Sequence, residues 1–548
     1  MEKRIPVGIE NFKELIDDGY YYIDKTDLTS DVLDEIVVFY TRPRRFGKTL
    51  SMSMLYYFFS NKEKDNAYLF DNLKITKDKE ALKHQNQYPV IFITLKDMKS
   101  MDFNKQKEKF ANIIKNIIIE NKELLNSSKI DRSDKIILND LRFLKASDVQ
   151  LSLSLKTISR CMQQHYHKEA IILIDEYDVP LQCAYDHKYY DQMVNFLSGV
   201  FSAALKTNDA VEKGVLTGCL RFSKESVFTG FNNYNMRSIM DDRSSNRFGF
   251  TLDEVKQLLA DYHLDEYLDE VKQWYNGYLF GENEIYNPWS TLKYVDLKTT
   301  NPKSEPESFW ANTSEHEIVY KYIEESNYQQ RKEFDSLLKD ECVIKTVKEE
   351  ITYREMDDIV NIYSFLLFTG YLKCIKKQKN QYWLKIPNQE IKYIYENIFK
   401  EWFDKKIESS NNSFQKELMA GNAIEARKVL NDLLSYSISY FDYNKSFYHG
   451  FLLGLLNGLN VKSNREAGKG RYDIAVIPND FDNPLIIIEC KYVRGLNKLK
   501  QMSEEAAIQI KERNYEEEFK DQGYENIISY GIAFYKKQCY ITQATSSE

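Results

Sequence analysis

The sequence predicts an α/β protein in three parts, and three observations predict it. Short β-branched or aromatic runs alternate with helical stretches up to about residue 240; a mostly helical region broken by two strand-like runs follows; the last part changes to an αβββαβ order. In the first part the runs are "IVVFYT" (36–41), "YPVIFITL" (88–95), "AIILID" (170–175) and "GVLTG" (214–218). Strands that are apolar throughout are covered on both faces, and helices between them point to a parallel sheet. In the second part "GYLKCIKKQ" and "QYWLKIPN", joined through a polar "KNQ", predict a hairpin. Helices followed by a hairpin suggest a winged-helix-like module. In the third, a helix "SFYHGFLLGLLNGL" precedes strands near 460–466, 472–477 and 485–491, a helix near 496–514 and the strand "ISYGIAFY". The divisions fall at 1–250, 251–405 and 406–548.

Composition supports packed cores and limits the partners. Of 548 residues, 43% are hydrophobic, with 40 Tyr and 31 Phe, so no segment is disordered by composition. The net charge of −8 excludes a polycation, and any nucleic-acid surface must be a local patch. Seven cysteines without a CxxC pair suggest neither a disulfide framework nor a zinc site and fit a reducing compartment. "MEKRIPVGIENF" has no apolar signal core, and "FLLGLLNGL" (451–459) is far short of the roughly 20 residues of a membrane span. A soluble, cytoplasmic protein with no membrane contact is the expectation, and a homo-oligomer is left open.

"YTRPRRFGKTLSMS" (40–53) ends like the phosphate-binding pattern GxxxxGK[ST], yet Arg42-Pro43 stands where its first glycine belongs. The context is right for a P-loop NTPase sheet: a strand delivers the chain and a helix follows, whose N-terminus favours an anion. Lys48 would contact the β- and γ-phosphates of ATP, Thr49 would ligate Mg²⁺, and Gly47 would let the backbone approach closely. Arg44 or Arg45 would add charge-assisted phosphate contacts, the plainer reading being a solvated loop arginine. "AIILIDEYD" offers the second half of such a site. Asp175 would hold the Mg²⁺ shell and Glu176 polarise the attacking water, against the plainer reading of a strand ending in solvated acids. In "GVLTGCLRFSKES", Thr217 and Arg221 are candidates to sense the γ-phosphate; an ordinary ion pair is the alternative for Arg221.

With "YYIDKTDL" (21–28), "TRPRRFGKT", "LIDEYDVPL", "TGCLRFSKESVFTGFNN" and "WYNGYLFGENEIYNPWS" in hand, nearly the whole chain resembles the AAA-ATPase-like proteins that carry a C-terminal nuclease-like domain of the PD-(D/E)XK superfamily. The resemblance implies that "RPRRFGKT" is the family's own form of the loop, so Arg42 is not decay. It also implies base or ribose contacts near Asp24, Lys25 and Thr26, for which a capped helix start at Thr26 or Asp27 is the alternative. "YNGYLFG…YNPWS" reads equally as a lid or as turns around a packed Trp289.

"GRYDIAVIPNDFDNPLIIIECKY" places Asp473 near the start of one strand and Glu489 and Lys491, on one face by period-2 alternation, at the end of the next. Two carboxylates can bind Mg²⁺, and an adjacent ammonium can orient water for attack on a phosphodiester. Alone, Glu-x-Lys is an ordinary charged strand face; after "PLIII" and an upstream strand Asp it gains weight. The superfamily resemblance, a restriction-endonuclease-like fold, adds Glu466 as an upstream acid and Gln509 and Tyr515 as its helix element. His449 reads as a satisfied core histidine rather than a base. Lys462, Arg465, Lys469, Arg471, Lys491, Arg494, Lys498 and Lys500 form a local basic patch. The resulting expectation is an ATP-hydrolysing switch coupled to a Mg²⁺-dependent nuclease on DNA or RNA. The alternative is a regulatory ATPase whose C-terminal domain binds nucleic acid or protein without cutting.

Overall fold

The computed structural model describes residues 3–221, 234–310, 316–357, 361–436, 445–467, 470–478 and 483–544. They fall into two compact units, Met1–Thr313 with Cys342–Ile394, and Ser314–Glu341 with Tyr395–Glu548. No helix among the described residues is long and apolar enough to cross a membrane.

The first unit is built on five parallel strands, β1 (Val37–Thr41), β2 (Val90–Thr94), β3 (Ala170–Asp175), β4 (Val211–Gly218) and β5 (Asn235–Arg237), in the order β2-β3-β4-β1-β5. Every residue of β1 and β3 is buried, as their unbroken apolar runs require. Because β4 is inserted between β3 and β1, their carboxyl ends lie side by side, with Tyr40 opposite Thr217 and Ile174 opposite Leu216. That edge, where the loops leave a parallel sheet, is where such folds bind ligands.

Beyond this sheet, a capping box between Thr251 and Glu254 starts the Leu252–Asp261 helix. Its Val255, Leu258 and Leu259 pack with Val271, Tyr275, Tyr286 and Tyr294. A small hairpin, β6 (Tyr278–Phe280) with β7 (Asn283–Ile285), precedes the Pro288–Thr300 helix. The hairpin read from "GYLKCIKKQ" and "QYWLKIPN" is β9 (Lys373–Gln378) with β10 (Gln381–Lys385). A strand the sequence did not suggest, β8 (Val343–Thr346), pairs with the far edge of β10 to give the order β8-β10-β9.

The second unit carries a mixed sheet of β11 (Val461–Ala467), β12 (Gly470–Val476), β13 (Leu485–Tyr492), β14 (Ile527–Tyr535) and β15 (Gln538–Gln543), ordered β11-β12-β13-β14-β15. Only β13 and β14 run parallel, so their connection must cross over, and the Leu499–Glu512 helix makes that crossover. The helix lies directly on β14: a side chain at Gly531 would overlap the backbone of Ser503 and Ala507. The expected αβββαβ order is present, extended by β15. The mixed α/β class expected from the sequence is the class observed.

Candidate functional site

The phosphate loop answers the question raised by its missing glycine. Arg42 is fully buried, and its guanidinium donates to the carbonyl oxygens of Thr41 (2.9 Å), Arg237 (2.6 Å) and Ser244 (3.1 Å). The same group lies 5.3 Å from the ring centres of Phe248 and Phe280, and burial pushes it down to about 10. Arg42 therefore anchors the loop from behind, where a glycine could hold nothing. The left-handed turns are made later, at Arg45 (φ 66°) and Gly47 (φ 81°). Phe46 between them is buried edge-to-face on Tyr278, with ring centres 4.9 Å apart.

Lys48 opens the Lys48–Phe59 helix and folds back into the loop. Its Nζ donates to the carbonyls of Arg42 (3.0 Å) and Pro43 (2.9 Å) and lies 3.5 Å from Cys219 Sγ. Beside it, Thr49 Oγ1 donates to Asp175 Oδ2 at 2.7 Å, and the Thr217 hydroxyl donates to Asp175 Oδ1. The ends of β3 and β4 and the first turn of the Lys48–Phe59 helix thus converge on one carboxylate. Asp175 is fully buried; burial raises its carboxyl, while the two hydroxyls and Lys48 oppose the shift.

Glu176 follows in the left-handed region, at φ 54°, an uncommon conformation for a side-chain-bearing residue and one that cross-links must hold. They follow it directly: Tyr177 N–H donates to Thr217 O (3.1 Å), and Asp178 Oδ2 accepts from the N–H groups of Cys219 (2.7 Å) and Leu220 (3.3 Å). The half-buried Glu176 carboxylate has no hydrogen-bond partner among the described residues, and burial raises it, with Lys48 opposing.

The arginines are placed differently. Arg44 donates to Gln182 Oε1 at 2.7 Å, and Arg45 stacks 4.2 Å over Trp289. Arg221 is held by Glu350 (2.9 Å) and Glu349 (3.6 Å), the ion-pair alternative in concrete form. Asp24, Lys25 and Thr26 are engaged in the protein: Asp24 accepts from Thr26 and from Lys74 N–H, and Lys25 from its side bridges to Glu254 at 2.6 Å. Asp27 makes no capping bond, so the helix start there is not side-chain capped. Residues 222–233, within the "TGCLRFSKESVFTGFNN" stretch, lie outside the described residues.

Glu390 was not legible in the sequence. It is fully buried; Oε1 accepts from Ser290 Oγ (2.9 Å) and Trp310 N–H (3.0 Å), while Oε2 has no partner. Burial pushes it up from 4.5 to about 7, against those bonds and the charge of Arg45. The folded form therefore holds a proton that the unfolded chain releases between those values. The stabilising contribution is complete below 4.5 and lost as pH rises to about 7. Glu390→Gln, neutral at every pH and able to keep the Oε1 contacts, should gain stability over wild type between about pH 5 and pH 8. The gain, on the order of 3 kcal/mol, would be read from paired melting curves; a difference that does not change with pH contradicts it.

In the second unit, the β12–β13 register pairs Ile474 with Ile488 and so sets Asp473 opposite Glu489. Both carboxylates are nearly buried. Asp473 Oδ2 accepts from Cys490 N–H at 2.8 Å. Glu489 Oε1 accepts from Lys491 Nζ (3.1 Å) and Gln509 Nε2 (2.7 Å), and Lys491 Nζ also donates to Gln509 Oε1 (2.5 Å). Glu489, Lys491 and Gln509 thus form a closed triangle joining β13 to the crossover helix. Tyr515 is fully buried and donates to the Arg471 carbonyl (2.9 Å), a packing role. His449 Nε2 lies 3.2 Å from the Asp473 carbonyl. Glu466 pairs with Arg471 through the backbone. Arg471, Arg494, Lys498 and Lys500 are exposed, and Lys469 lies outside the described residues.

The donor sets suit the groups they would hold. Thr49 and Asp175 beside an ammonium, and Asp473 with Glu489, are hard oxygen donors of the kind Mg²⁺ takes. Comparison with known proteins lands on the same two regions. Residues 6–228 match the family model AAA-ATPase-like, described as a predicted AAA-ATPase, and residues 443–544 match that of the PD-(D/E)XK nuclease superfamily. Over 554 aligned positions the chain is 24% identical to an uncharacterized protein in the vnfD 5′ region of Azotobacter chroococcum mcd 1, covering 97% of this chain and 96% of that one. The phosphate loop and its acid strand fall inside the first match, the Asp473–Glu489–Lys491 set inside the second, and the chain accordingly joins an AAA-ATPase-like domain to a C-terminal domain of the PD-(D/E)XK nuclease superfamily.

Proposed function

We propose that the protein is an ATP-binding and hydrolysing switch coupled to a metal-dependent nuclease acting on DNA or RNA. The observation that carries this reading is that each unit gathers its own buried carboxylate with polar partners suited to phosphate chemistry: Asp175 with Thr49 and Thr217 in one, Asp473 and Glu489 with Lys491 and Gln509 in the other.

In the first unit Lys48 and Gly47 bind the phosphates, and Thr49 and Asp175 hold Mg²⁺, which when bound neutralises charge on the transferred phosphoryl group. Glu176 orients the attacking water: it is half-buried, beside Lys48, and free to accept a proton. Arg45 gives up only a stacking contact to reach phosphate, whereas Arg44 and Arg221 would exchange hydrogen-bonded partners for it. Glu176→Gln should leave ATP binding intact and slow hydrolysis on the order of a hundredfold or more. A phosphate-release assay beside a binding titration reads both, and equal loss of binding would remove Glu176 from this role.

In the second unit Asp473 and Glu489 would hold the metal. Lys491, steered by Gln509, presents an ammonium to the water or the scissile phosphate. The exposed cations Arg471, Arg494, Lys498 and Lys500 would meet the nucleic-acid backbone. The rival reading, a non-cleaving binding module, is favoured by one observation: no cluster of three or more metal-ligating side chains is found among the described residues. Incubation with single- and double-stranded DNA and RNA, with Mg²⁺ or Mn²⁺ and with or without ATP, separates them. New termini support the nuclease; binding without cleavage on every substrate supports the module.

A further inference from the structure

We infer that the open face of the β8-β10-β9 sheet is a second nucleic-acid contact surface, one that takes a strand with accessible bases. The inference rests on the nucleic-acid reading above but on different residues, all within the first unit.

The sheet has two unlike faces. One is interior: Val343, Cys374, Tyr382 and Leu384 are buried. On the other, the register sets Ile344, Trp383 and Lys376 in one row across the three strands. Lys385 stands opposite Lys373 in the next row, and Gln381 lies between Thr346 and Gln378 at the far end. Ile344 is 50% exposed and Trp383 partly exposed, with Lys376 Nζ 4.9 Å from the Trp383 ring centre. A bulge at this pairing leaves Ile375 as an extra residue, 47% exposed.

The charge on this face is one-sided. From 371 to 389 the chain has five lysines and no acidic residue, although the whole protein carries −8. Of the five, Lys377 is engaged on the other side of the sheet, by Glu349 at 2.5 Å. No ion pair is formed by Lys376, Lys379 or Lys385 among the described residues. Like charges directly opposite each other across a strand pair are destabilising; Lys373 is held low chiefly by burial, and Lys385 adds to that against the larger opposing charge of Glu284. A phosphate between the two would relieve that repulsion.

The chemistry fits a polynucleotide strand better than an acidic peptide. Lysines at the rim suit regularly spaced phosphates, and the partly exposed indole on this face is a platform on which a base can stack. A carboxylate-bearing peptide would use the lysines and leave the indole unused.

The test titrates the full-length protein, in EDTA so that nothing is cut, with a fluorescein-labelled mixed-sequence single-stranded oligodeoxynucleotide over a salt series. Wild type is compared with Lys376→Ala/Lys385→Ala and Trp383→Leu, the latter keeping apolar cover on the sheet. The double variant should flatten the plot of log affinity against log salt by about 1.4, for two lost phosphate contacts at about 0.7 each. Trp383→Leu should weaken binding about tenfold at one salt and leave the slope unchanged. Wild-type binding with the same slope in the double variant overturns this surface and leaves the nuclease reading standing. Equal displacement of the oligonucleotide by polyglutamate from wild type and from Trp383→Leu assigns the face to an acidic protein and overturns it too. Absence of binding to any nucleic acid by wild type overturns the functional reading itself, and this inference with it.

Discussion

Lys48→Ala is expected to abolish ATP binding at any practical nucleotide concentration. The ammonium is buried inside the loop, and its donors already point at loop carbonyls, Arg42 O and Pro43 O. A phosphate entering the loop meets that charge in a site largely screened from water, where a charge-assisted hydrogen bond contributes about 1.5–3 kcal/mol. Losing two such bonds weakens binding a hundredfold or more. The same substitution leaves two loop carbonyls without their donor, so the loop itself should loosen, and a melting curve without nucleotide must accompany the titration. Thr49→Ala is the informative companion: it removes a hydroxyl held by Asp175 but not the charge. It should retain binding in EDTA and lose the enhancement that Mg²⁺ gives. If Lys48→Ala binds ATP as wild type does, the loop is not the nucleotide site.

The contrast between Lys48 and Arg42 shows where sequence reading works and where it stops. Lys48 was legible because strand, Gly-Lys-Thr and helix are consecutive, and their order alone fixes where the ammonium lies. Arg42 was legible only as an exception to a pattern. Its role is set by the carbonyls of Arg237 and Ser244, about two hundred residues later, and no local periodicity records them. The same division runs through the fold. The apolar runs of β1, β3 and β13 announced buried strands, because a strand covered on both faces must be apolar at every position. β5 and β8, of three and four residues, are too short to show a period and exist because a neighbouring edge offers them hydrogen bonds. The convergence of Thr49, Thr217 and Asp175 depends on β4 lying between β1 and β3, a matter of topology rather than spacing. Glu390 left no local signal at all, since its burial is decided by Ser290 and Trp310.

The proposed nuclease centre makes the sharpest claim about separate roles. Asp473→Ala and Glu489→Ala should each abolish cleavage by removing a metal ligand, and each should weaken Mg²⁺ or Mn²⁺ binding in a calorimetric titration. Lys491→Ala should abolish cleavage too but leave metal affinity largely intact, because an ammonium is not a ligand to Mg²⁺. The closed triangle adds a further distinction. Gln509 donates to Glu489 and accepts from Lys491, so Gln509→Ala removes the steering of both without deleting either. It should lower the cleavage rate by about tenfold to a hundredfold, the cost typical of lost outer-sphere support, rather than to zero. All four variants should hydrolyse ATP at the wild-type rate, since the proposed ATP site and this set of residues sit in different compact units, each with its own core. Loss of hydrolysis together with cleavage would show that the two activities are not separable. Undiminished cleavage in both Asp473→Ala and Glu489→Ala would sink the metal assignment, because Glu466 is the one other acid in the sequences of the five strands.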